Sequence, residues 1–123
     1  IIHHDVRKLE LSNVKEIQIV HDGETKDLNV DSQEYNNVID IFDSKRVKIR
    51  DDKPYLWLDD SYEITIVTDD ETYTLHGVPE LDNSNTPGAS IDFVVYDYTS
   101  EGSDYLYQIV TIPEKDFNLL FNE

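Results

Sequence analysis

A chain of 123 residues has the size of one domain, and its 38% of hydrophobic residues, clustered as Tyr, Ile, Leu and Val, mark a folded core rather than a disordered segment. Twenty-seven acidic residues against ten basic ones give a net charge of −17, which argues against nucleic acid as a direct partner and against adhesion to an anionic membrane. The absence of cysteine excludes disulfides, thiolate metal sites and cysteine nucleophiles. No apolar run approaches the ~20 residues of a membrane span, and no signal peptide is recognisable. The chain opens at Ile1 rather than Met, so a missing upstream segment is expected.

Residues 1–13 read as an irregular lead-in or a cloning remnant, with no weight placed on His3 or His4. The folded domain is expected over 14–123. Val14 to His21 reads as a strand with Ile17 and Ile19 on one face. Asp22-Gly23 is a favoured two-residue hairpin turn, and Glu24 to Val30 returns antiparallel. Asp31 is placed to cap a helix, with Glu34 reaching back to it. Tyr35, Val38, Ile39 and Phe42 then follow at the spacing of one helical face, which should bury on a sheet.

Arg46 to Arg50 reads as a strand with one basic face, broken by Asp51-Asp52-Lys53-Pro54. A short apolar run, Tyr55-Leu56-Trp57-Leu58, precedes a turn at Asp59-Asp60. Tyr62 to Thr68 alternates as a strand, Asp69-Asp70-Glu71 turns, and Thr72 to Gly77 is its hairpin partner. Two prolines and a glycine keep 78–90 a long loop. Ile91–Tyr98 and Tyr105–Ile112 are apolar on both faces, which predicts central or doubly covered strands. Pro113 stands where a helix should begin, and Phe117, Leu119, Leu120 and Phe121 form a short C-terminal helix. The resulting order is β-β-α-β-β-β-β-β-α. It predicts an α+β fold: a mostly antiparallel sheet of about seven strands, with a central helix and a short C-terminal helix packed on it.

Chemistry-bearing motifs are scarce. The carboxylate pairs Asp51-Asp52, Asp59-Asp60 and Asp69-Asp70 each fall where a turn is needed, and Asp is favoured there for its own backbone hydrogen bonds. No stretch fits a calcium loop, and His3, His4, His21 and His76 have no metal-binding spacing, although His21 and His76, each at a strand end, could meet in space. No nucleophile elbow or phosphate-binding glycine loop occurs, and the glycines at 23, 77, 88 and 102 all sit in or beside expected turns. This reading assigns no catalytic, cofactor-binding or metal residue, and no enzymatic activity.

The tyrosines are the most suggestive feature. Tyr96 and Tyr98 share a strand face with Val94, Tyr105 and Tyr107 share a face of the next strand, and antiparallel pairing would set the two pairs side by side. Tyrosine combines apolar area with a polar tip and suits a protein interface. The competing reading is a cross-strand ladder that stiffens the sheet. Trp57 is read as core.

One arrangement is familiar: "VKEIQIVHDGETKDLNVDSQEYNNVIDIFDSKRVKI", then "YLWL", further strands and a closing "PEKDFNLLF". It resembles small domains of unknown function in lipid-anchored envelope proteins of Gram-positive bacteria. The 78–90 loop departs from that pattern, where a tighter link is expected. The resemblance implies an extracytoplasmic, non-enzymatic domain tethered by an upstream lipid anchor, and it brings no functional residues with it. A protein-binding envelope module with Tyr96, Tyr98, Tyr105 and Tyr107 as its contact surface is the leading expectation. The alternative is a cytoplasmic acidic inhibitor of a basic enzyme, either a nucleic-acid mimic or an immunity protein. An even spread of carboxylates over every face would count against mimicry.

Overall fold

The computed structural model of the chain describes residues 2–50, 62–78, 90–95 and 107–121. In chain order its elements are β1 (Ile2–Lys8), β2 (Val14–His21), β3 (Glu24–Asp27), α1 (Gln33–Phe42), β4 (Arg46–Arg50), β5 (Tyr62–Thr68), β6 (Thr72–Val78), β7 (Ser90–Val95), β8 (Tyr107–Pro113) and α2 (Glu114–Phe121). The strands form one sheet, β1-β4-β8-β7-β6-β5-β2-β3, and each ladder in it is antiparallel. The α+β class and the antiparallel sheet are as the sequence predicts, and β7 and β8 are interior strands.

The strand count differs by one, because residues 2–8 form β1 instead of an irregular lead-in. Their sequence, Ile-His-His-Asp-Val-Arg-Lys, lacks apolar alternation. Its ladder with β4 is interrupted between Ile2 and Asp5 and again between Asp5 and Arg7. Backbone pairing with β4, which side-chain pattern does not encode, makes it a strand. The Tyr55–Leu58 run with Trp57, the Asp51-Asp52 and Asp59-Asp60 turns, most of the 78–90 loop and the 99–104 connection lie outside the described residues.

Local chemistry sets the element ends. Asp22 and Gly23 both take positive φ, 54° and 78°, as a tight hairpin turn requires. The cap of α1 is Ser32 rather than Asp31: the Ser32 hydroxyl accepts a hydrogen bond from the Tyr35 N–H at 3.2 Å. Asp31 is left-handed, with φ 66°, a conformation unsuited to an N-cap. Glu34 turns instead to Lys26 Nζ, at 2.6 Å. Tyr35, Val38, Ile41 and Phe42 are the buried residues of α1, with Ile39 only half-buried.

The sheet is strongly curled, by an argument from length. From Lys8 to Val14 the chain takes six residue steps, at most roughly 21 Å. Yet β1 and β2 are separated by six strand spacings, about 29 Å in a flat sheet. The segment between them spans the concave side, where Leu9 and Leu11 are buried. It is sewn to the corner after α1: Leu9 N–H donates to Lys45 O at 2.9 Å, Ser44 N–H to Leu9 O at 2.8 Å, and Leu11 N–H to Asp43 Oδ1 at 3.0 Å. The curl brings Arg7 of β1 to the β5–β6 turn, where its Nη1 lies 3.1 Å from Glu71 Oε2 and its guanidinium stands over the Tyr73 ring.

Both helices lie against the concave face. Ile17, Ile19, Val47, Ile64, Ile66, Tyr73, Leu75, Ile91, Phe93, Val95, Val110 and Ile112 form one core with the buried faces of α1 and Phe117 of α2. Phe93 is its hub, edge-on to Phe42 with ring centres 5.3 Å apart and tilted against Phe117 at 6.3 Å. Gly77 stands opposite Phe93, and a Cβ there would fall 2.3 Å from the Phe93 ring. Gly77 therefore serves close packing inside β6, not the turn expected of it. His21 stacks on Tyr62 with ring centres 3.7 Å apart, and Tyr62 also meets Phe117 and Phe121, which fastens α2 across one end of the sheet.

Candidate protein-binding surface

The convex face of the sheet is traced by one row of paired residues. Lys48 faces Ile109, Ile109 faces Val94, Val94 faces His76, His76 faces Glu63 and Glu63 faces Val20. A half-solvated antiparallel sheet should carry polar residues on this side. Outside its centre it does: Thr65, Thr72, Thr74 and Thr111 point this way, and Thr111 Oγ1 donates to Asp92 Oδ1 at 2.7 Å. At the centre, however, Val94 and Ile109 are only 5% and 2% exposed, and neither belongs to the concave-side core. At Val94 and Ile109 the β7–β8 pair is thus apolar and buried on the convex face as well as the concave one, as its sequence predicts.

The candidate tyrosines attach to this hairpin. Tyr107 opens β8 and stands opposite Arg50 in the β4–β8 ladder. Tyr96, Tyr98 and Tyr105 lie outside the described residues, so of the four proposed positions only the Tyr107 backbone is described. The antiparallel pairing on which their juxtaposition depends runs from Ser90↔Pro113 to Val94↔Ile109.

The other candidates resolve one by one. Asp69-Asp70 is a turn organised by Thr68, whose Oγ1 accepts from the N–H groups of Asp70 at 3.2 Å and Glu71 at 3.0 Å. Asp69 Oδ1 lies 3.1 Å from Lys15 Nζ. His21 and His76 do not meet: His21 lies on the concave side with Tyr62, and His76 lies in the convex row beside Glu63. Burial holds the His76 pKa below the ordinary imidazole value, with the Glu63 carboxylate opposing that shift. Among the described residues, no group of three or more His, Asp or Glu is placed to hold a metal ion.

Sequence reading missed two features, because both arise from non-local contacts. One is the cluster of Arg7, Glu71 and Tyr73. Burial and the hydrogen bond to the Glu71 carboxylate push the Tyr73 pKa up to about 12. The other is a groove of about 490 Å³ between α1 and α2, lined by Asn37, Asp40, Asp43, Lys45, Asp116 and Leu119 among others. Leu119, which the sequence placed with the apolar residues of the C-terminal helix, is 57% exposed there.

Charge is unevenly sorted. Exposed acidic residues occur on the β2–β3 hairpin (Asp22, Glu24, Asp27), on α1 and its flanks (Asp31, Glu34, Asp40, Asp43), on the β5–β6 turn (Asp69, Asp70, Glu71) and at Glu16. Six of the ten basic residues, by contrast, are Arg7, Lys8, Lys45, Arg46, Lys48 and Arg50, all in or beside β1 and β4.

No family model, no curated protein and no solved structure matches this chain.

Proposed function

We propose that this chain is a non-catalytic protein-binding domain that contacts its partner through the tyrosine-bearing ends of the β7–β8 hairpin: Tyr96, Tyr98, Tyr105 and Tyr107. The observation that carries this reading is the hairpin's position and composition. It lies inside the sheet, and Val94 and Ile109 are buried on the face that the helices do not cover. A rigid, doubly buried hairpin is a sound base for amphipathic aromatic contacts, because anchors on a fixed scaffold lose little conformational freedom on binding.

The setting proposed for it is extracytoplasmic, on a Gram-positive cell envelope, held by a lipid anchor upstream of Ile1. The resemblance described above supports that setting. Among the described residues no helix is long and apolar enough to cross a membrane, and the charge of −17 speaks against direct nucleic-acid binding. The second reading, a cytoplasmic acidic inhibitor, draws on that same charge. The spread of carboxylates over the hairpin, the helix layer and the opposite turn counts against a nucleic-acid mimic, which needs them in one band.

Fractionation of source cells tests the setting. The native protein is expected in the membrane fraction and released by detergent. Recovery in the cytosol overturns the envelope reading and brings the inhibitor forward.

A further inference from the structure

We draw no further inference here: the strongest candidate, the groove between α1 and α2 lined by Asp40, Asp43, Asp116 and the exposed Leu119, is an acidic cluster into which Lys45 already brings a cation, and nothing in the structure shows what covers Leu119.

Discussion

Gly77 shows how one missing side chain can set the packing of a core. The Phe93 ring occupies the space that a Cβ at position 77 would need, and Phe93 in turn touches Phe42 and Phe117. Gly77→Ala must therefore displace an aromatic hub shared by the sheet and both helices. Overpacking of this kind costs about 1–3 kcal/mol. The melting temperature of Gly77→Ala should fall by several degrees, and Phe93→Leu in the same chain should recover part of the loss, because it vacates the contested space. A Gly77→Ala chain that melts with the parent shows that the ring moves aside freely. Tyr73 gives a pH signature. Folding raises its pKa from the ordinary value near 10.0 to about 12, through burial and the Glu71 carboxylate. The folded state thus holds this proton more tightly than the unfolded state. The contribution is complete below pH 10.0 and is lost as the pH rises toward about 12. Denaturant melts across that window should show stability falling with pH, with a shallower slope for Tyr73→Phe. Equal slopes contradict the assignment.

The helix and the strands divide cleanly by what local sequence can say. The start of α1 was legible in type but misassigned by one residue. Asp31 and Ser32 are both good caps, and only the backbone decides between them: Asp31 takes φ 66°, while Ser32 is extended and its hydroxyl accepts from the Tyr35 N–H. Ser32→Ala should cost about 1 kcal/mol, the usual worth of a cap. Asp31→Gly should be neutral or stabilising, since glycine adopts positive φ without strain. Thermal melts of the two variants separate these outcomes, and a larger loss for Asp31→Gly contradicts the cap. The β2–β3 hairpin was legible because Asp22-Gly23 is turn chemistry written in two adjacent residues. The early end of β3 was not. Leu28 leaves the edge to enter the core, its N–H bonding to Ile17 O at 2.9 Å, and that preference depends on a partner strand rather than on the Leu itself. β1 was missed for the same reason, since its pairing partner lies some forty residues away in the sequence.

The curl of the sheet organises everything else in the molecule. A five-residue link, 9–13, could not join β1 to β2 across a flat sheet. The sheet therefore wraps toward the helices, Leu9 and Leu11 fill the seam, and Arg7 reaches Glu71 from the far edge. Sequence reading finds the described strands other than β1 but not their spatial order, because the order follows from contacts across the whole chain. The candidate surface was legible to the same extent. The two apolar strands with their flanking tyrosines could be read directly, and so could the basic face of Arg46–Arg50. The positioning of that basic face beside an edge strand and next to β8 could not. The proposed interface requires the tyrosines to be contact residues rather than core. The melting temperature of the Tyr96→Ala, Tyr107→Ala double variant tests this without knowledge of the partner. Surface substitutions change stability by about 0.5 kcal/mol or less, so a melt within about 3 °C of the parent chain is predicted. Buried aromatic residues cost about 3–5 kcal/mol each on truncation to alanine. A fall of more than about 10 °C, or a chain that does not fold, makes these tyrosines part of the core and contradicts the proposed interface.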